Sequence, residues 1–276
     1  MRSKNSNGRA ESMGMLDLLK LPQVKTAINM DDCSLTLLHK QILMEKKFLR
    51  KVYESFYRDL MSHVQYYENG TFIELGSGAG FIKQMYPKIQ TSDVLDLPDL
   101  DRIFDATKMP FKNNSVDAIV LINVLHHIKN IELFFAEVTR VLKETGRIVM
   151  IEPANTLWSR FVYTRFHHEV FDPNADWQVE GSRHLLDGND ALAWIIFNRD
   201  KEQFQKKYPE LNIIKIYNHT PVSYLISGGF TLKQLLPSCM YVPVRCIESL
   251  FQFAGSLTGM FQTIVLERRS NGKTNA

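Results

Sequence analysis

The stretch FIELGSGAGF, residues 72–81, decides the fold because it joins a short apolar run to a cluster of glycines. A short apolar run that ends in turn residues is typical of a strand buried on both faces. Gly76, Gly78 and Gly80 then stand at alternate positions, where a backbone without Cβ atoms can turn sharply and bring its N–H groups close to a ligand. The segment therefore predicts a central strand followed by a ligand-binding loop.

Two common nucleotide-binding patterns fit this loop poorly. The loop of a nicotinamide-binding protein has the spacing GxGxxG, whereas here the third glycine comes one residue early and Phe81 occupies its place. A phosphate-binding loop ends in Gly-Lys followed by Ser or Thr, and this loop has no such ending. A nicotinamide-dependent oxidoreductase on a similar sheet therefore stands only as a less favoured alternative.

Strand and helix patterns alternate around the loop. An amphipathic helix is predicted over residues 35–64, which either packs on the core or covers the loop as a lid, and another over residues 131–143. Further strands are predicted to end near Asp93 and to cover residues 116–122, 146–152, 211–217 and 261–267. This alternation predicts a doubly wound α/β sheet.

Length and composition describe an ordinary globular protein. We expect a disordered tail over residues 1–12 and a single domain over 13–276, with a core at about 70–153, an insertion at about 154–208 and C-terminal strands and helices at 209–268. The formal net charge of +3 comes from 33 basic and 30 acidic side chains, so no strong field favours nucleic acid as a partner.

Cysteine usage and the N-terminal sequence bear on location. Cys33, Cys239 and Cys246 are too scattered for a disulfide framework or a zinc site. The polar N-terminus has no apolar run long enough for a signal peptide or a membrane span. We therefore expect a cytoplasmic protein without a metal, while its oligomeric state is left open.

Over residues 71–153 the sequence resembles the class I S-adenosylmethionine-dependent methyltransferases, in particular the branch called methyltransferase domain type 11. The resemblance rests on four blocks in the family's order. They are the glycine loop, the acid Asp93 at the end of the next strand, DATKMPF at 105–111 with Met109 where the family usually has leucine, and NNSVDAIVLINVLHHI at 113–128.

The resemblance implies a Rossmann-like, seven-stranded, mostly parallel sheet with a reversed last strand, flanking helices and an insertion after the fifth strand. It also implies S-adenosylmethionine as the cofactor: the loop lies under its methionine part, Asp93 binds the ribose, and Asp105 with the following backbone holds the adenine. The implied cofactor-binding residues are Glu74, Gly76, Ser77, Gly78, Gly80, Asp93, Asp105, Ala106 and Asn123.

Several of these assignments have alternatives. Asp96 could bind the ribose while Asp93 caps a helix, and Asp105 could be only a turn residue. By resemblance His126 or His127 stands near the transferred methyl group, where an imidazole can take a proton, although a structural hydrogen bond is an equal alternative. We take His127 and His168 as the candidate catalytic residues.

The predicted reaction is direct displacement of the activated methyl group by an acceptor, so the protein mainly aligns the reactants and excludes water. The aromatic insertion favours a small or lipid-linked organic acceptor, such as a sugar, a lipid or a phenolic compound, although its aromatic residues could instead form a small core. The apolar segment Cys239–Met260 either packs on the sheet or contacts a membrane surface or a partner. A non-catalytic scaffold that binds S-adenosylmethionine is the alternative function.

Overall fold

The computed structural model describes residues 18–25, 27, 30–166, 170–178, 187–250 and 254–270. The tail predicted over residues 1–12 and the candidate catalytic residue His168 lie outside the described residues. The domain boundaries predicted from the sequence stay a prediction.

Within the described residues, seven strands form one sheet in the order β3-β2-β1-β4-β5-β7-β6. All neighbouring strands are parallel except β7, which runs antiparallel to both β5 and β6. The predicted mostly parallel sheet with a reversed last strand is therefore confirmed. The strands are β1 (Phe72–Glu74), β2 (Ile89–Asp93), β3 (Arg102–Ile103), β4 (Val116–Ile122), β5 (Leu142–Pro153), β6 (Leu211–His219) and β7 (Phe261–Arg268).

Helices cover both faces of the sheet. A π-helical segment, Ile195–Arg199, joins α7 to α8. The α-helices are α1 (Pro22–Lys25), α2 (Asp32–Glu45), α3 (Lys47–Ser62), α4 (Ile82–Met85), α5 (Ile131–Val141), α6 (Leu157–Phe166), α7 (Leu192–Trp194), α8 (Lys201–Lys207), α9 (Ser223–Ser227), α10 (Tyr241–Leu250) and α11 (Gly255–Thr258).

Alternate residues of the central strands enter two separate hydrophobic clusters, as the two-residue period of a strand requires. Ile119 of β4 packs on one face with α5 and the helical residues around Phe197 and Phe204. Val120 packs on the other face with α3, α6 and Val244 of α10. Since both faces are covered, the apolar runs found in the sequence are explained.

The helix predicted over residues 35–64 is two helices, because the chain breaks at Lys46 between α2 and α3. The Lys46 ammonium group is buried and donates to the backbone oxygens of Gly229 (2.5 Å) and Leu232 (2.7 Å). Burial lowers the pKa of Lys46 to about 8. The break thus ties the N-terminal helices to the segment after α9, a contact between distant residues that helical periodicity cannot reveal.

Part of the aromatic region after β5 belongs to the central core. Phe197 and Phe204 are completely buried among the side chains of α5, and Tyr163 is buried on the opposite face. The Trp177 indole donates to the Asp200 carboxylate at 2.8 Å. By contrast, Phe161 remains exposed.

None of the helices among the described residues is both long and apolar enough to cross a lipid bilayer. The cytoplasmic location expected from the sequence stays a prediction.

Candidate functional site

The glycine loop lies at the carboxyl end of β1, the edge of an open parallel sheet where ligands bind. Gly76 and Gly78 have φ angles of 63° and 26°, a region that favours glycine. A Cβ on Gly76 would lie 2.3 Å from the Val124 side chain, and one on Gly80 would lie 2.5 Å from the Tyr57 hydroxyl. Glycine is therefore required in this loop, either because the φ angle is positive or because a neighbouring side chain leaves no space for a Cβ atom.

Ser77 fastens the loop to β2. Its N–H donates to the Ser92 carbonyl at 2.8 Å, and its hydroxyl accepts the Ser92 N–H at 3.0 Å. The side chain of Ser77 is buried, so the hydroxyl holds the loop in place. These two hydrogen bonds join the turn to β2.

Asp93 ends β2 beside the same loop. One of its carboxylate oxygens accepts the Gly78 N–H and the other accepts the Leu95 N–H, both at 3.0 Å. Asp96, the alternative ribose partner, is exposed. The geometry therefore favours Asp93 as the acid next to the loop.

Glu74 brings a carboxyl group into the interior under the loop. It is 3% exposed, and its Oε2 atom has no hydrogen-bond partner. Burial raises the pKa of Glu74 to about 8 from its ordinary value of 4.5. A buried acceptor without a donor is costly, so this position suits a ligand that carries a positive charge or an N–H group.

Asn123 supplies a second acceptor of this kind at the end of β4. Its φ angle of 55° is uncommon for a residue other than glycine, and its Oδ1 atom is buried without a hydrogen-bond partner. Such strained positions cluster at functional sites. Glu74 and Asn123 therefore offer two unsatisfied oxygens at the carboxyl ends of neighbouring strands.

Asp105 and Ala106 follow β3 at the same edge of the sheet, where the Phe104 N–H donates to the Asp93 carbonyl at 3.0 Å. The Asp105 carboxylate accepts the N–H and the hydroxyl of Thr107, each at 2.7 Å. Asp105 is exposed and shapes a turn, the alternative role considered from the sequence. Its position next to Asp93 also fits a ligand that extends along this edge.

His126 and His127 have different surroundings although they are adjacent. His126 is buried, with Nδ1 at 2.6 Å from the Glu152 carboxylate and Nε2 at 3.7 Å from the Asp190 carboxylate. Glu152 is completely buried and also accepts the N–H groups of Val124 and Leu125, each at 2.8 Å. His126 is therefore a structural anchor of the loop after β4.

His127 is only partly buried, and its ring lies 4.1 Å from that of His126. Its Nδ1 atom is 3.3 Å from the Asp187 carbonyl oxygen. Of the two histidines it is the more accessible, so it is the better candidate for proton transfer.

Sequence reasoning missed the tyrosines of α3. Tyr57 accepts the Phe81 N–H at 3.1 Å and lies against the glycine loop, while Tyr53 interacts with the Asn123 side chain. Burial raises the pKa of both phenols well above the ordinary value. Tyr53 and Tyr57 share the apolar stripe of α3 with Phe56, so the sequence pattern includes them. A tyrosine in such a stripe normally indicates core packing, however, and not a functional site.

Helix α2 covers the loop from the other side. A Cβ on Gly78 would lie 3.2 Å from the Thr36 methyl group. The lid considered from the sequence as an alternative stays a prediction.

Comparison with known proteins agrees with this geometry. Residues 78–150 match the family model described as "Methyltransferase domain". Residues 78–150 thus carry a methyltransferase domain. The family predicted from the sequence is thereby confirmed.

The matching relatives of this chain include the demethylmenaquinone methyltransferase of Streptomyces avermitilis, 34% identical over 73 residues, or 26% of this chain and 32% of the relative. The corresponding enzyme of Symbiobacterium thermophilum is 27% identical over 122 residues, or 44% of this chain and 48% of the relative. The chain thus spans less than half the length of these curated relatives.

Among solved structures, the chain is similar to a putative methyltransferase of Haloferax volcanii that forms a complex with the activator Trm112. The TM-score is 0.50 at 12% identity, with 87% of this chain and 99% of the other covered. This similarity shows a shared fold.

The residues at the carboxyl edge fit S-adenosylmethionine, which carries an ammonium group, a sulfonium and two ribose hydroxyls. Glu74 and Asn123 supply buried oxygens that lack donors, and Asp93 supplies a carboxylate next to the loop. The glycine loop leaves no room for a Cβ atom at Gly76 or Gly80, where the Val124 side chain and the Tyr57 hydroxyl would lie 2.3 and 2.5 Å away. The fit therefore rests on chemistry as well as on the sequence motif.

We predict that Asp93→Asn weakens binding of S-adenosylhomocysteine by roughly tenfold to a hundredfold, the usual worth of a charge-assisted hydrogen bond. Isothermal titration calorimetry measures this change. Asp96→Asn is the matched control and should leave the affinity unchanged. Equal effects of the two substitutions would contradict the assignment of Asp93.

We predict that Glu74→Gln changes the pH dependence of stability. Because the pKa of Glu74 rises from 4.5 to about 8 on folding, the folded protein retains a proton that the unfolded chain releases, and stability falls as pH rises through this range. Without cofactor, the variant should resemble the wild type near pH 4.5 and be more stable above pH 8. Urea unfolding at both pH values checks this, and a pH-independent difference would contradict it.

We predict that His126→Ala destabilises the protein by about 1–3 kcal/mol, because the buried Glu152 carboxylate loses its hydrogen-bond partner. His127→Ala is the matched control and should cost clearly less, since His127 is only partly buried. Urea unfolding gives both values. Equal losses would show that His126 is not the anchor.

Proposed function

We propose that the protein transfers a methyl group from S-adenosylmethionine to a small or lipid-linked organic acceptor by direct displacement. The observation that carries the proposal is the pair of buried, unsatisfied oxygens of Glu74 and Asn123 beside the glycine loop. When bound, the cofactor supplies a methyl group already activated by the positive sulfur. The protein therefore has to bind, orient and exclude water.

The loop and its neighbours hold the cofactor in this proposal. The N–H groups of residues 76–80 lie along its methionine part, and the Glu74 and Asn123 oxygens accept hydrogen bonds from its ammonium group. Asp93 accepts the ribose hydroxyls. Asp105 and Ala106 lie beside the adenine, and Ser77 keeps the loop fastened to β2.

Helices α2 and α3 exclude water from the reacting atoms. Thr36 of α2 lies over Gly78, and Tyr53 of α3 interacts with Asn123 at the carboxyl end of β4. Exclusion of water strengthens the electrostatic contacts in the site. The Tyr53 hydroxyl can also orient an acceptor oxygen, since its raised pKa keeps it protonated.

We assign proton acceptance to His127, for acceptors that must lose a proton. It stands at the carboxyl end of β4, directly after the buried anchor His126, and is the more accessible of the two. His168, the second candidate from the sequence, stays a prediction.

For the acceptor we favour an aromatic ring, such as a phenol or quinol, with or without a lipid tail, over a sugar. Rings surround Tyr53, including Phe56 at 5.8 Å and Phe230 at 5.7 Å between centroids. The Tyr224 ring lies 4.9 Å from that of Phe261 at the same edge of the sheet. The named activity of the matching relatives, demethylmenaquinone methyltransferase, also favours a quinone-type ring, although they align with only part of this chain.

The test is methyl transfer by the full chain from labelled S-adenosylmethionine to a prenylated phenol or quinol, a lipid without an aromatic ring, and a sugar. We predict transfer to the aromatic acceptor and a fall in kcat of about a hundredfold or more for His127→Gln, if a phenolic proton must be removed. Binding of S-adenosylhomocysteine without transfer to any acceptor would instead indicate a non-catalytic scaffold and overturn the proposal.

A further inference from the structure

Helix α10 exposes several apolar side chains and buries its carboxylate, which is the reverse of an ordinary amphipathic surface helix. Its buried side chains are Val244 and Glu248, and Arg245 donates to the Glu248 carboxylate at 2.7 Å. Its outward side chains are uncharged: Val242, Pro243, Cys246, Ile247, Ser249 and Leu250 are all exposed. A helix that buries its carboxylate and exposes its apolar residues has an outer face suited to an apolar environment.

Helix α6 has a similar outer face. Leu157 is 71% exposed and Phe161 is 41% exposed. The charged residues of α6 are Arg160 and Arg165, both exposed, and the Arg165 guanidinium lies 4.2 Å from the centre of the Phe161 ring. This face is therefore apolar and basic.

The two helices both contact the segment between β6 and α9, and α11 packs against α6. The Trp158 indole of α6 donates to the Pro221 carbonyl at 2.8 Å, and the adjacent Val222 N–H donates to Glu248 of α10 at 2.7 Å. Helix α11 packs against α6 and exposes Leu257. We call the exposed side chains of these three helices the apolar face, which comprises Leu157, Phe161, Val242, Ile247, Leu250 and Leu257.

Charge identifies the occupant of this face. The carboxylate found on the three helices is Glu248, which is buried and bound to Arg245 and two backbone N–H groups. The exposed charges are the two arginines of α6. Apolar side chains bordered by basic groups are the pattern with which a protein lies on an anionic membrane.

We propose that the apolar face docks the protein peripherally on a membrane surface that contains anionic lipids. The six apolar side chains enter the interfacial region, while Arg160 and Arg165 bind lipid phosphates. The segment Cys239–Met260, for which the sequence left burial or docking open, is buried at Val244 and Met260 but exposed at Val242, Ile247 and Leu250. Docking, not burial, accounts for these exposed residues.

Docking would also serve the proposed methyl transfer. Helix α6 follows the carboxyl end of β5, and the segment that leads to α10 follows the carboxyl end of β6. Both therefore begin at the edge of the sheet that holds the candidate site. A lipid-linked acceptor could then reach the site from the membrane. The docking proposal itself does not depend on catalysis, because vesicle binding is measured without substrate.

The experiment is cosedimentation of the full chain with vesicles of phosphatidylcholine alone or with roughly a quarter phosphatidylglycerol. We expect at least about tenfold tighter binding to the anionic vesicles, and weaker binding at high salt. Arg160→Glu/Arg165→Glu should lose that anionic preference. Ile247→Glu/Leu250→Glu should weaken binding by about tenfold or more, because two apolar side chains no longer enter the interface.

Two matched controls separate the face from general surface effects. Leu133→Glu changes a residue that is 52% exposed on α5, against 56% for Ile247, and Lys201→Glu/Lys206→Glu reverses two exposed charges on α8. Both controls should bind vesicles like the wild type, and every variant should keep the wild-type affinity for S-adenosylhomocysteine.

Three outcomes would overturn the docking proposal. The wild type could bind neither vesicle, or the controls could lose as much binding as the variants of the face. Analytical ultracentrifugation could also show, without vesicle binding, a dimer that Ile247→Glu/Leu250→Glu dissociates, which would make the face a contact between two copies. A chain that binds vesicles but methylates no acceptor would support docking and contradict only the proposed function.

Discussion

A turn that leaves no space for side chains is the constraint on which the site depends. The backbone passes through positive φ at Gly76 and Gly78 with Val124, Tyr57 and Thr36 packed against it. Hydrogen bonds between Ser77 and Ser92 fasten this turn to β2. A binding loop that is already ordered loses less conformational entropy on binding.

Two buried carboxyl groups at the same edge of the sheet, Glu152 and Glu74, have different roles. Glu152 accepts two backbone N–H groups and faces the His126 ring, so its hydrogen-bonding capacity serves the fold. Glu74 has an oxygen without a donor, and burial raises its pKa to about 8. A cationic ligand near Glu74 would favour the charged carboxylate and thereby release a proton. Glu74 can therefore lose its proton and pair with a cationic ligand.

The sequence predicted the parts of this arrangement that depend on local patterns. The apolar run of β4 could be placed because strand periodicity acts over a few residues, and the acid at the end of β2 was assigned from the family resemblance. It could not predict the break at Lys46, which depends on carbonyl groups far along the chain. The roles of His126 and His127 could not be separated either, because adjacent residues of one type differ only in what the fold brings next to them.

A structure of the full chain with S-adenosylhomocysteine would test the central claim most directly. The account predicts the nucleoside sugar within hydrogen-bond distance of the Asp93 carboxylate, and the ammonium group at the Glu74 and Asn123 oxygens that have no partner in the free protein. A ligand bound away from residues 76–80, or one that leaves both of those oxygens without a donor, would contradict it.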